Sequence, residues 1–269
     1  MAISTLTKPL TETEFPTLPR GDELPYDDDT PLESERHLFQ IILLLETIQP
    51  WLQESGKGYV GGNMFIYFSP NQIKTEQVRG PDFFIVVNAD SHERKSWVVW
   101  EEGLSPDVVI ELLSETTKKE DKTTKKRIYE KQLCVSEYFW YDPFDPADWV
   151  GHELKRGSYS EKRLDRLGRY ISKKLGLALV KWNGVFMGRE TTWLRFETLD
   201  GHLLPTKEER EKQRAEREKQ RAEREKQRAE REKQRAEKEC LEKEKERAEK
   251  EKLAEKLREL GYDPDKIIL

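Results

Sequence analysis

Two acidic residues stand where the chain is otherwise most apolar. Val108–Leu113 is a continuous apolar run broken by one charge, Glu111, and Asp82 follows Pro81 at the entrance to Phe83-Phe84-Ile85-Val86-Val87. A carboxylate taken out of water costs several kcal/mol unless a partner or a metal compensates it. One answer is a salt bridge from Glu111 to a lysine on a neighbouring helix. The other is that Asp82 and Glu111 enter adjacent strands and together ligate a hard divalent cation such as Mg2+, with Mn2+ as a substitute. Their separation of 29 residues does not decide between the two. Downstream, Asp121, Lys125 and Tyr129 recur at four-residue steps and share one helical face. An ammonium near two carboxylates could stabilise charge developing on a phosphate or help orient an attacking water. Alternatively, Lys125 pairs with Asp121 on a solvated face.

Those residues need strands and helices to hold them. Leu38, Ile41, Ile42, Leu45 and Ile48 recur at three- and four-residue steps. This predicts an amphipathic helix that begins near Pro31, capped by Asp28, Asp29 or Thr30, and ends at Pro50. Strand-like runs follow at Tyr59–Val60, Met64–Phe68, Phe83–Val87, Trp97–Trp100, Val108–Leu113 and Tyr138–Tyr141, with a helix over Lys118–Leu133. The unalternating apolar runs mark strands buried on both faces. Leu177–Val180, Val185-Phe186 and Trp193–Phe196 read as added strands around a short amphipathic helix. The expected fold class is α/β: a mixed sheet with one helix before it and one crossing between its two most buried strands.

Composition divides the chain. All seven Trp, all ten Phe and eight of nine Tyr precede Thr206. Beyond it the sequence is almost wholly Glu, Lys, Arg, Gln and Ala, which cannot bury a core. That tail holds 22 basic and 20 acidic residues, so the net charge of −5 arises in the first part, much of it before Arg36. The folded middle is nearly neutral, which neither supports nor excludes a nucleic-acid partner. The expected organisation is an acidic, Pro-rich leader without structure over 1–30, a domain over 31–205, a charged helix over 206–260 and a tail over 261–269. The helix repeats EKQRAER with Ala215, Ala222, Ala229 and Ala236 seven residues apart. One alanine per heptad favours a solitary helix or weak coiled coil over a tight zipper. Glu218 before Arg221 and Lys212 before Glu216 place opposite charges along it. Its charges alternate, so it lacks the one-sided basic stripe that backbone binding to DNA needs. Cys134 and Cys240 have no partner at ligand spacing and read as free thiols. No apolar stretch is long enough to span a bilayer and no secretory h-region is present, so a cytoplasmic protein is expected.

The segments GPDFFIVV (80–87), LSPDVVIELLSETT (104–117) and VSEYFWYDP (135–143), with Asp121, Lys125 and Tyr129, resemble the bacterial restriction-endonuclease domain family, a branch of the PD-(D/E)XK nuclease superfamily. YVGGNMFIYF (59–68), WVVWEEG (97–103) and LAEKLRELGYDP (253–264) are similar to members with charged C-terminal helices. The resemblance covers about Glu35 to Pro205. It implies a restriction-endonuclease-like core and Mg2+-dependent hydrolysis of DNA, with Asp82 as metal-binding aspartate and Glu111 as the glutamate of the (D/E)XK element. The superfamily lysine falls two residues after that acid, where this chain has Leu113, and Lys125 occupies the position typical of the family. Asp82, Glu111 and Lys125 are then the catalytic set, with Asp121 and Tyr129 in support. An acid from the first helix often completes such sites, and Glu33, Glu35 and Glu46 are the candidates.

Three functional expectations follow: a DNA endonuclease, acting alone or as a homodimer; a weakly catalytic DNA- or protein-binding module of the same fold; and an interaction protein acting through its helical tail. Convergence of Asp82, Glu111 and Lys125 separates the first from the second. Self-association lost on deletion after Pro205 marks the third.

Overall fold

In the computed structural model of the chain, which describes residues 18–25, 34–56, 58–69, 71 and 77–261, helix α1 spans Glu35–Ser55. Its cap is Ser34, whose hydroxyl accepts from the His37 backbone at 3.3 Å. The caps expected at 28–30, and Pro31, lie outside the described residues. Gly56 closes the helix in a left-handed conformation (φ 62°) and donates to Gln53 O. The expected stop at Pro50 is therefore corrected. Proline removes one backbone hydrogen bond, yet the turn beyond it still buries Leu52 and packs Trp51 on the core.

The strands are β1 (Gly58–Gly62), β2 (Ile66–Tyr67), β3 (Val78–Arg79), β4 (Phe83–Val87) and β5 (Trp97–Val98). The expected strand over Trp97–Trp100 is only half strand, because the chain turns at Val99 into the short helix α2 (Val99–Glu102). After β6 (Val108–Leu112) come α3 (Lys118–Glu120), a π-helical turn at Asp121–Lys125 and α4 (Lys126–Lys131). Then follow β7 (Glu137–Tyr141), β8 (Trp149–Lys155) and β9 (Ser158–Glu161). Six strands pair in the order β1-β4-β6-β7-β8-β9; β2, β3 and β5 form a separate small sheet. Only β6 and β7 of the six-stranded sheet run parallel to each other, as the helical crossover between them requires.

Alternation along the central strands gives the sheet two dry faces. Phe83, Ile85, Val108, Ile110, Phe139 and Tyr141 face Ile41, Leu44 and Ile48 of α1. Phe84, Val86, Val109, Leu113 and Tyr138 face Ile128 and Tyr129 of α4. Burial on both sides is why these strands read as unbroken apolar runs.

The remaining strands, β10 (Tyr170–Ser172), β11 (Leu177–Phe186) and β12 (Arg189–Thr198), add Leu177, Leu179, Leu194 and Phe196 to the α1 side. The expected short strands around an amphipathic helix are corrected here. β11 and β12 are ten residues each, and no helix occurs between 142 and 206 among the described residues. Asn183-Gly184 lies mid-strand, and the Trp182 ring occupies the space that a side chain at Gly184 would take. The turn is Met187-Gly188 instead, with φ of 47° and 73°.

Residues 18–25 fall within the expected unstructured leader but are packed. Leu24 is buried with Tyr67 and Val98, Tyr67 donates to Pro25 O at 2.6 Å, and Trp100 donates to Pro19 O at 3.1 Å. The rest of the leader lies outside the described residues.

The chain divides into two units, Met1–Lys207 and Glu208–Leu269. Helix α5 (Lys207–Glu259) has 53 residues, none of them buried, and is about 80 Å long at the usual rise. Opposite charges do line up along it, pairing at four-residue steps: Lys212 with Glu208 and Arg214 with Glu218, where the sequence suggested Lys212 with Glu216 and Glu218 with Arg221. Gly261 (φ 81°) ends it as expected; the tail beyond lies outside the described residues. No helix among the described residues is long and apolar enough to cross a membrane.

α1 packs tightly on β1 at Gly62, where an added Cβ would lie 2.9 Å from both Ile41 Cγ2 and Leu45 Cδ1. Gly62→Ala is expected to destabilise the domain by about 1–3 kcal/mol, read as a lower urea midpoint at unchanged slope. An unchanged midpoint would mean that α1 does not press on β1.

Candidate active site

The antiparallel register of β4 and β6 pairs Phe83 with Ile110. One further step sets Asp82 opposite Glu111. Asp82 Oδ2 accepts from the Leu112 backbone at 2.7 Å, and the Asp82 N–H points to Glu111 Oε2 at 3.4 Å. The two carboxyl groups adjoin, and each affects the other's hold on its proton. Glu111 shares a strand face with Val109 and Leu113, so its side chain turns toward the crossover helix.

That helix supplies the rest of the site. Tyr129 donates to Glu111 Oε1 at 2.7 Å, and Lys125 Nζ lies 3.2 Å from Glu111 Oε2 and 2.7 Å from Asp121 Oδ1. Asp82, Glu111, Asp121, Lys125 and Tyr129 thus converge. The two readings of the sequence coexist: Glu111 is salt-bridged to a helix lysine, and it sits beside a second strand-end carboxylate. Lys125 and Asp121 do pair, but in the interior. Leu113 is fully buried in the apolar core, and Lys125 reaches Glu111 from the helix.

Burial dominates the electrostatics. It raises the carboxyl of Asp82 to about 6, against the Leu112 hydrogen bond and the Lys125 charge. Glu111, with 0 % of its surface exposed, is raised to about 7 by burial and by Asp82, although Lys125 opposes this. Asp121 is raised to about 6 by burial and by Glu111. Lys125 is held above the ordinary lysine range, because the charges of Glu111 and Asp121 outweigh its burial. The Tyr129 hydroxyl is pushed far up by burial and stays a donor. Only Asp82, partly exposed, and the Lys125 side chain, 16 % exposed, meet solvent. A ligand must approach past them.

Two adjoining carboxyl groups, each pushed up by burial, suit a divalent cation, which would offset their mutual repulsion. The donor set is all oxygen, as a hard ion requires. Among the described residues no group of three or more His, Cys, Asp and Glu is arranged to hold a metal. Mg2+ does not need one, since it keeps several waters beside one or two carboxylates.

Of the acids proposed from the first helix, Glu35 and Glu46 do not join the site. Glu35 pairs with Arg189 at 2.9 Å, Glu46 accepts from the Lys207 backbone, and Glu33 lies outside the described residues. The α1 residue that does reach β6 is His37, which sequence reasoning missed. Buried, it contacts Leu113 O through Nε2 at 3.1 Å and Ser34 Oγ through Nδ1 at 2.8 Å. A carbonyl only accepts, so Nε2 carries the proton and fixes the end of β6 two residues past Glu111. Its one sequence signal was a polar residue within an apolar helical stripe.

A family model described as Uma2, "Putative restriction endonuclease", matches residues 14–183, well over half the chain. The match begins before the Glu35 start expected from sequence and ends within β11, so β12 lies beyond it. No curated protein matches the chain. With the mixed sheet, the helical crossover and the converged acids in place, the chain belongs to the Uma2 family and carries its restriction-endonuclease-like domain.

Proposed function

We propose that the domain is a Mg2+-dependent DNA endonuclease that hydrolyses phosphodiester bonds, with Mn2+ able to substitute. The observation that carries this reading is Glu111: a carboxylate with no exposure that contacts Asp82, Lys125 and Tyr129 together. Asp82 and Glu111 would hold the metal, which when bound lowers the pKa of a water and offsets charge on the phosphate. The chain's own groups do the remainder. Tyr129, a fixed donor, keeps Glu111 oriented, and the Leu112 N–H does the same for Asp82. Lys125 places a permanent positive charge where the phosphate gains negative charge, as water oxygen bonds to phosphorus and the P–O bond to the leaving sugar oxygen breaks. The leaving oxygen takes its proton from solvent at the partly open Asp82 side.

A second reading has an observation in its favour. Lys125 already satisfies Glu111 and Asp121, as it would in a non-cleaving module that keeps the fold. Cleavage of plasmid and single-stranded DNA separates the two. Wild type is expected to cleave with Mg2+ or Mn2+, and Asp82→Ala or Glu111→Ala to lower the rate by on the order of 100-fold or more. Wild type that neither cleaves nor binds either metal by calorimetry removes the nuclease reading; activity surviving both substitutions removes the site.

The raised carboxyls also predict how stability depends on pH. A group that holds its proton more tightly folded than unfolded loses stabilising effect as pH rises from its unfolded to its folded value. For Asp82, Glu111 and Asp121 that window runs from about 4 to about 6–7. His152, pushed down to about 4 by burial and Lys126, acts oppositely in part of the same window. The expectation therefore concerns a difference. Between about pH 5 and 7.5, metal-free wild type loses more unfolding free energy than Glu111→Gln, by on the order of 1–2 kcal/mol. Saturating Mg2+ restores it. Equal slopes for the two proteins in urea denaturation would contradict the shared burial of these acids.

A further inference from the structure

We propose that Asp121 is a positioning residue that keeps Lys125 tethered in the site while the ammonium transfers its second contact from Glu111 to the scissile phosphate. The inference rests on the nuclease reading above and adds a role for a carboxylate that this reading leaves unused.

The two contacts of Lys125 are unequal. Nζ is 2.7 Å from Asp121 Oδ1 and 3.2 Å from Glu111 Oε2. The alternatives open to the two acids are unequal too. Glu111 also receives the Tyr129 hydroxyl and the Asp82 N–H, and a cation held with Asp82 would compensate its charge directly. Lys125 is the cation paired with Asp121, whose side chain is 1 % exposed. Taking the ammonium away from Asp121 would leave a charge uncompensated in the interior, the costliest of the possible rearrangements. When Glu111 is neutralised by other means, the Glu111 contact is the one Lys125 gives up.

The backbone is shaped for this arrangement. In a regular α-helix a four-residue step overshoots one turn by about 40°, so Asp121, Lys125 and Tyr129 would drift steadily around the cylinder. The π-helical turn covers Asp121–Lys125. Its wider i→i+5 spacing makes the first step fall short of a turn, and the second step, through α4, overshoots. The two offsets oppose, and all three side chains face β6. Tyr138 donates to Asp121 O at 2.8 Å, which fixes the start of the wide turn to β7. Thr123 and Thr124, inside the wide turn, are both exposed. π-turns are rare and often mark functional sites.

The test uses the full chain with Mg2+ alone and then with DNA. The side-chain ammonium of Lys125 is followed by 15N NMR, assigned with Lys125→Arg, beside Mg2+ calorimetry and steady-state cleavage. In wild type, Mg2+ is expected to shift the Lys125 signal while leaving it protected from solvent exchange. In Asp121→Asn the signal is expected to be protected without Mg2+ and lost to exchange when Mg2+ is added. The same variant should lose roughly 10–100-fold in kcat, the scale typical of outer-shell partners, with KM for DNA nearly unchanged. Asp121→Glu, which keeps the charge, should recover part of kcat. Wild-type kcat in Asp121→Asn, or a Lys125 signal in wild type that becomes that of a free lysine once Mg2+ binds, overturns the tether. The second result is read without any variant, so a poorly folded Asp121→Asn does not decide the matter. A wild type that binds no Mg2+ and cleaves nothing overturns the nuclease reading, and the tether with it, whereas active wild type with normal Asp121→Asn overturns the tether alone.

Discussion

Compensating a carboxylate inside a sheet is the constraint around which this domain is organised. Glu111 lies on a strand covered on both faces, with none of its surface in water. Such a group stays ionised only if cations and donors are brought to it. One strand away, Asp82 is held by the Leu112 N–H. From above come Lys125 and Tyr129, one four-residue step apart on the crossover helix. Because these partners come from β4, β6 and the α3–α4 helix, the site exists only when the sheet is paired in register and the helix is docked.

That dependence links packing to chemistry. β6 and β7 run parallel, so the connection between them must cross over the sheet, and its helix lies above Glu111. The apolar contacts of Ile128 and Tyr129 with Val109 and Leu113 seat the helix, and the π-turn sets the angle at which its charged face looks down. From the opposite side α1 holds the sheet through Ile41, Leu44 and Ile48, and His37 reaches past the sheet edge to the carbonyl of Leu113. Helix α5 is stabilised differently, by side-chain pairs along its own surface, each worth only a few tenths of a kcal/mol.

Much of this was legible in the sequence, and the reasons are local. Glu111 and Asp82 stood out because a charge in an apolar run is a strong exception to a simple pattern. The shared face of Asp121, Lys125 and Tyr129 followed from helical spacing alone. The stop at Pro50 was misread because the turn beyond it buries Leu52 and packs Trp51 on the core, contacts that the local sequence does not show. The β11–β12 hairpin was misread because its long strands alternate buried and exposed residues only in part. His37 and the π-turn were not legible: the first depends on a contact 76 residues away, and the second on a backbone detail that no composition marks. The packed Leu24 was hidden in a leader whose average composition argues for disorder.

The most direct test of the account is where a divalent cation binds. Crystals of the full chain soaked in Mn2+ and measured at the manganese edge should show an anomalous peak between the carboxylates of Asp82 and Glu111, with Lys125 still on Asp121. A peak elsewhere, or none at saturating Mn2+ with the Glu111–Lys125 pair intact, would contradict the assignment of these acids as the metal-binding centre of a nuclease.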